Sequence, residues 1–431
     1  MSFLFTSVKT TVTTMKVEQL TINSRRYEER LATLAAIGQI GETGVCRPAL
    51  SSLEKEAFLV AKGWMEEAGM TVRIDHFGNL IGRYEGTDSE APVLMIGSHL
   101  DSQPYGGRYD GTAGVLAGIE VVATLKEQGI VPHRSIEVVS FCDEEGWRFN
   151  RGLFGSRGLI GKLDEDDLAR TDEAGVTREE ALRQFGCDPA QFAQSHYKEG
   201  SIYAFLELHI EQGPVLEAKQ LPIGIVSGIS GPLWWTVTLE GFAGHAGSVP
   251  MNMRRDALLG ASELIVALNT IVKQEHEAPT VGTVGHVKVF PNSRNIIAEK
   301  VEFTIDLRDI EQRRRDRYER QMRQEMERVC RSHGLTYHIR EDTNSEPRYC
   351  SPEIKRIMHE ESEKMGLSLP ELMSGPFHDA LTMSYVCDYG MIFVRCQDGI
   401  SHNPKEFATT HDLALGTELL YKTMLQMVKR P

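Results

Sequence analysis

The chain has 431 residues, 41% of them hydrophobic and 25% charged, with a formal net charge of −14. That length predicts two domains, and the composition is that of a folded chain rather than a disordered one. The acidic balance argues against nucleic acid and against anionic membrane surfaces as partners.

Residues 1–20 lack the long apolar core and small-residue cleavage site of a secretory signal, and are expected to be a disordered tail. No stretch approaches the ~18 apolar residues that span a bilayer. Residues 51–69 predict a helix: Ser51 and Glu54 have capping-box spacing, apolar residues recur at helical intervals, and Gly69 ends it. "TVRIDHFGNLIGRYEG" reads as two strands turning at Gly78-Asn79.

Three almost continuously apolar runs follow, at 92–99, 135–145 and 203–213, as expected of strands covered on both faces. A helix over 110–129 separates the first two, which implies an α/β sheet. The pattern changes near residue 219. Strand 233–241, helix 254–272, strands 282–290 and 299–309, helix 310–334 and strand 335–341 give the ferredoxin-like order β-α-β-β-α-β. The α/β pattern then resumes with a helix near 351–366, a strand at 389–396 and a closing helix at 411–429. Residues 21–218 and 345–431 are therefore expected to form one α/β domain, interrupted by a small α+β domain over 219–344.

Within 310–334 the arginines alternate with acids at helical spacing, as in Glu319 and Arg323, which predicts a solvated helix rather than a nucleic-acid surface. The seven cysteines are scattered and include no CxxC pair, which predicts free thiols in a reducing cytoplasm.

"VVSFCDEEGWRF", residues 138–149, places Asp143, Glu144 and Glu145 side by side at the exit of an apolar strand. Mutually repelling carboxylates need a partner there. Other polar residues gather at equivalent exits: His99 and Asp101, His209, and His402, with Asp110 in the glycine-flanked "GGRYDG" loop. Ligands of open α/β sheets bind at the carboxyl ends of the strands. Imidazoles and carboxylates without clustered cysteine suit Zn²⁺, Mn²⁺ or Co²⁺. The set is large enough for two ions bridged by one carboxylate. One carboxylate of the Glu144–Glu145 pair would then ligate, and the other would remain free to take a proton from water. Asp101 is spaced to orient the His99 ring.

"GSHLDS", "GGRYDG", "DEEGWRF", "LELHIEQG", "GHAGSVPM-x-x-RRDA" and "GISHNP" occur in one order along the chain, and in this the sequence resembles metallopeptidase family M20 from about residue 25 onward. The similarity is to its amidohydrolase branch, the N-carbamoyl-L-amino-acid hydrolases and allantoate amidohydrolases. It implies a zinc-exopeptidase-like catalytic domain interrupted by a ferredoxin-like lid and dimerisation domain. It also implies two divalent ions per subunit (Zn, Mn, Co or Ni), with Asp110 as bridge and His99, Glu145, His209 and His402 completing the ligands. Glu144 would be the general base. His245 would stabilise the oxyanion at the partner subunit's site, Asn295 and Arg308 would hold the substrate carboxylate, and Gln212 would sit by the carbamoyl or ureido group. For Arg308 the alternative is an ion pair with Asp306 or Asp309.

Two positions depart from the family pattern. Ala298 stands where relatives carry proline. Pro376 and Phe377 stand where small residues usually precede His378-Asp379, which puts the substrate's side-chain class in question. His378 is expected either at the substrate or paired with Asp379. The expected activity is hydrolysis of N-carbamoyl-L-amino acids to amino acid, CO₂ and ammonia by a cytoplasmic homodimer. Allantoate hydrolysis is the alternative, followed by β-ureidopropionate or peptide hydrolysis. A non-catalytic binding protein on this scaffold would have a broken ligand set, whereas every expected position here is filled.

Overall fold

The computed structural model describes residues 20–429, so the tail expected over 1–20 lies almost wholly outside the described residues. The chain divides into two compact units. One comprises residues up to 226, 350–372 and 378 onward; the other comprises 227–349 and 373–377. Among the described residues no helix is long and apolar enough to cross a membrane, and none of the seven cysteines is paired.

In the first unit Asp388–Val394, Ile202–Ile210, Val93–His99 and Ile136–Phe141 pair side by side in parallel. Leu80–Tyr84 and then Thr71–Ile74 extend one edge antiparallel. Every residue of Val93–His99 and of Ile136–Phe141 is buried, which is why both read as almost continuously apolar runs. Helix Thr112–Glu127 packs against the three strands at 93–99, 136–141 and 202–210. It is buried over nearly its whole length, Glu120 included, and Arg26 answers Glu120 with two 2.7 Å hydrogen bonds. Helix Ser52–Glu67 begins as its sequence predicts, with the Ser51 side chain accepting from Glu54 N. The reciprocal bond differs: Glu54 Oε2 reaches Leu50 N rather than the cap's own N–H.

The second unit is an antiparallel sheet carrying two helices, Ala257–Val272 and Gln312–His333. Its strands lie in the order Val281–Thr283, Lys300–Asp309, Gly231–Glu240, Thr336–Asn344. Two features differ from expectation. The single strand read over 282–290 is broken into Val281–Thr283 and Val287–Phe290, because residues 284–286 stand opposite only Thr304 and Ile305. One extra residue makes a bulge there, and Gly285 sits in it. The unit also begins at 227 rather than 219, since Ile223 and Ile225 still pair with Val394 and Ile392 of the first sheet.

Trp235 is buried in this unit's core under the Arg323 guanidinium (4.4 Å to the ring centre), whereas Trp234 lies against Phe377. Arg323 also bridges Glu319 at 2.9 Å on the helix surface, consistent with a solvated face.

Candidate active site

Four chain segments meet at the carboxyl edge of the parallel strands. His99 ends its strand and His209 is the penultimate residue of its own. Asp110 stands just before helix Thr112–Glu127. Gly111 joins the two with φ 61°, and a Cβ at that position would fall 2.4 Å from the His99 ring, so only glycine lets loop and ring approach this closely.

His99 Nδ1 faces the Asp101 carbonyl at 3.0 Å, and His209 Nδ1 faces the Ile210 carbonyl at 2.9 Å. A carbonyl only accepts, so both Nδ1 atoms carry the proton. Both Nε2 atoms then point at one carboxylate oxygen, Asp110 Oδ1, at 3.5 and 3.0 Å. On the other oxygen, Oδ2, His402 Nε2 approaches to 3.3 Å; the same nitrogen lies 3.6 Å from Glu145 Oε2. Two imidazole lone pairs aimed at a buried carboxylate repel it unless a proton or a cation lies between them.

The charges carry the same message. Burial alone would raise the Asp110 pKa, yet His209, His402 and His99 together hold it well below the usual carboxylate range. Contact with Asp110 raises His402 to about 9, with Glu145 adding to the effect against burial. Burial lifts Glu145 to about 7, assisted by Asp110 and opposed by His99 and His402. Each group is tuned by a neighbour of opposite charge. Two sets of potential ligands share Asp110: His99, Asp110 and His209, all buried, and Asp110, Glu145 and His402. Nitrogen and oxygen donors with no sulfur suit borderline divalent ions, so the residues present fit such a metal.

The acidic turn is held from three sides. Asp143 has φ 52° and pairs with the fully buried Arg178 at 2.8 Å. The Asp101 carboxylate accepts the Glu144 and Glu145 backbone N–H groups at 3.3 and 3.2 Å. Glu145 takes two hydrogen bonds from Gln103, and Glu144 Oε2 lies 3.6 Å from His99 Nε2. Asp101 lies at the His99 ring: its main-chain carbonyl faces Nδ1 at 3.0 Å and its carboxylate lies 3.5 Å from the same nitrogen, while that carboxylate also anchors the turn.

Gln212, at φ 55°, donates to Asp110 Oδ2 at 2.9 Å. His378 is 1% exposed, edge-on to His209 with ring centres 4.3 Å apart. Burial and then His209 keep its pKa well below the usual histidine range.

His245, Asn295 and Arg308 belong to the other unit. His245 is exposed, and its Nδ1 accepts from Gly247 N at 3.1 Å, which leaves Nε2 as the protonated, donating nitrogen. Its loop is clamped by Arg254, which donates to the carbonyls of Ala246 and Val249, and is bridged to Asn295–Ile296. Asp256 caps the following helix. The "GHAGSVPM-x-x-RRDA" run is thus a histidine, its clamp and a helix start. Arg308 forms the ion pair with Asp306 (2.8 Å), donates to the Gly375 carbonyl at 2.7 Å, and packs on the Trp234 and Phe377 rings. An N–H remains on each terminal nitrogen.

Sequence reasoning missed Arg178, Gln103, Ser401 and Glu406. Glu406 is buried and accepts the backbone N–H groups of Tyr109 and Asp110. Its one signal in the sequence is its place four residues past His402.

Residues 95–426 match the model of peptidase family M20/M25/M40. The chain belongs to that family. It is 46% identical over 414 residues to an N-carbamoyl-L-amino-acid amidohydrolase from Pseudomonas sp. (strain NS671), covering 96% of this chain and 100% of the relative. It is 33% identical to an allantoate deiminase from Arabidopsis thaliana, over 91% and 81% of the two chains. The structure of an amidase of the hydantoinase/carbamoylase family from Burkholderia multivorans superposes with a TM-score of 0.88 at 36% identity, covering 95% of this chain and 99% of that one. The α/β architecture is thus the M20 fold. Members of the family are typically metal-dependent. Two relatives named for N-carbamoyl-L-amino acids are 46% and 41% identical to this chain, and three named for allantoate are 31–33% identical.

Proposed function

We propose that the protein is a metal-dependent amidohydrolase that cleaves N-carbamoyl-L-amino acids to amino acid, CO₂ and ammonia. The observation that carries this reading is the convergence of the His99 and His209 Nε2 atoms on one oxygen of Asp110, beside the Glu144 carboxylate, whose side chain is 10% exposed. The 46% identity to a carbamoyl amino acid amidohydrolase supports the substrate class.

His99, His209 and Asp110 would hold one divalent ion (Zn, Mn, Co or Ni), and Asp110, Glu145 and His402 a second. Such ions, when bound, polarise a carbonyl and bring the pKa of water to about 7. Glu144 removes a proton from the attacking water and returns it to the leaving nitrogen. His245 donates its Nε2–H to the oxygen where negative charge develops. Asn295 and the free N–H groups of Arg308 hold the substrate carboxylate, and a planar guanidinium gives direction as well as attraction. Gln212 lies by the carbamoyl group. His378 is assigned to packing against His209 instead of substrate contact, because it is 1% exposed and lies edge-on to that ring.

The test is parallel turnover of N-carbamoyl-methionine, allantoate and a dipeptide, before and after exhaustive chelation. Carbamoyl turnover should dominate, vanish on chelation and return with added Mn²⁺, Co²⁺, Ni²⁺ or Zn²⁺. Dominant allantoate or peptide hydrolysis overturns the substrate assignment, and undiminished activity after chelation overturns the metal.

A homodimer built through the second unit, residues 227–349, completes the proposal, with His245 serving the partner's site. Sedimentation should show a dimer. Mixing inactive Glu144→Gln with inactive His245→Ala subunits should restore turnover, because the mixed dimer regains one intact set. An active monomer contradicts it.

A further inference from the structure

Glu406 joins the loop that carries Asp110 to the turn that carries His402. Its Oε1 accepts from Tyr109 N at 3.0 Å and Asp110 N at 3.1 Å, so the backbone of the shared ligand rests on one carboxylate oxygen. Its Oε2 accepts from Ser401 Oγ at 2.9 Å, and Ser401 immediately precedes His402. The same hydroxyl lies 3.2 Å from Asp110 Oδ2. The loop presses so closely on this carboxylate that a Cβ on Gly107 would fall 2.1 Å from Glu406 Oε1.

The two faces of Asp110 differ in what supports them. Oδ1 meets His99 and His209, whose side chains are 2% and 1% exposed and fixed by strands and main-chain carbonyls. Oδ2 meets His402, whose side chain is 48% exposed, on a turn at φ 52° outside any strand or helix. Packing holds the first half of the cluster. The second depends on hydrogen bonds: Gln103 holds Glu145, Gln212 reaches Asp110 Oδ2, and Ser401 with Glu406 ties the turn that carries His402 to the loop that carries Asp110.

Resting on the two-ion reading above, we infer that Glu406 is a positioning residue for the Asp110–Glu145–His402 half of the cluster and sets the affinity of that position selectively. Ligand-orienting partners of this kind typically change metal affinity by about 10–100-fold when removed. Glu406→Ala weakens the second Mn²⁺ by that factor and leaves the first in place. Glu406→Gln, whose amide oxygen can still accept both N–H groups, restores two-ion binding.

The experiment is titration of metal-free protein with Mn²⁺, reading stoichiometry by elemental analysis and affinity by calorimetry, with circular dichroism and thermal melting on each variant. Wild-type protein should bind two ions. Glu406→Ala at limiting Mn²⁺ should keep one, and Glu406→Gln two. A wild type that binds one ion or none refutes the two-ion reading itself. If the wild type binds two, a folded Glu406→Ala that also binds two with unchanged affinity, or loses both equally, overturns the role of Glu406. A lowered melting temperature with unchanged stoichiometry likewise marks Glu406 as merely structural. Should Glu406→Ala fail to fold, Ser401→Ala, which removes the hydroxyl between Glu406 and Asp110, is titrated in its place. It must show the same selective loss for the inference to stand.

Discussion

Glu144→Gln is expected to lower kcat on the carbamoyl substrate by roughly 10²–10⁴-fold, the range for removing a general acid–base, while bound metal stays unchanged. Glutamine keeps the size and reach of the side chain but cannot take up a proton. The backbone N–H of Glu144 is held by Asp101, so the turn does not move with the change. Burial pushes the Glu144 pKa well above the usual range; His99 opposes the rise, and Asp379, Glu145 and Asp101 add to it. A raised pKa makes the carboxylate a stronger base than one in water, which its assigned role requires. Glu145→Gln should behave differently, because Glu145 faces His402 and belongs to a ligand set. It should lose metal first and activity as a consequence. Steady-state kinetics with elemental analysis on both variants separates the two roles. A fully active Glu144→Gln removes Glu144 from the chemistry.

Much of this site is legible in the sequence because strand exits are legible. Almost continuously apolar runs mark strands buried on both faces, and His99, the 143–145 turn and His209 lie where those runs end. Asp110 is marked by the glycines around it. Arg178 and Glu406 gave no comparable signal. Each acts across a long sequence separation, 35 residues to Asp143 and 296 to Asp110: Arg178 opens the helix Arg178–Phe185, away from the strand exits, and Glu406 lies outside any helix or strand. A buried ion pair leaves no trace in hydropathy, since both members read as ordinary surface charges. Arg308 shows the same limit. Its neighbour Asp306 is two residues away on one face of a strand, yet only the structure shows the guanidinium divided between Asp306 and Gly375. The break at Gly285 was hidden because a bulge shifts the register without interrupting the apolar pattern.

Arg178→Met is expected to destabilise the protein by about 3–5 kcal/mol, the range for removing one member of a buried ion pair. Arg178 is fully buried between the Phe149 and Phe154 rings. It donates to Asp143 and Asp167 at 2.8 Å each and to the Arg151 carbonyl. Asp167 would keep Arg157, but Asp143 would keep no cation among these contacts. Even with Arg178 present, burial raises Asp143 to about 7, above the ~3.9 of an unfolded aspartate. A folded-state pKa raised above the unfolded one means that stability falls as pH rises between those values. Without the guanidinium the folded value rises further. Asp143 is then protonated in both proteins in mild acid, and the deficit of the variant grows as pH climbs through about 7. Urea unfolding of both proteins at pH 5.5 and 8.5 measures this, and a deficit that shrinks with pH would refute it. Asp143→Asn in the Arg178→Met background removes the stranded charge. It should recover part of the lost stability at pH 8.5 and little at pH 5.5, which identifies the carboxylate as the source.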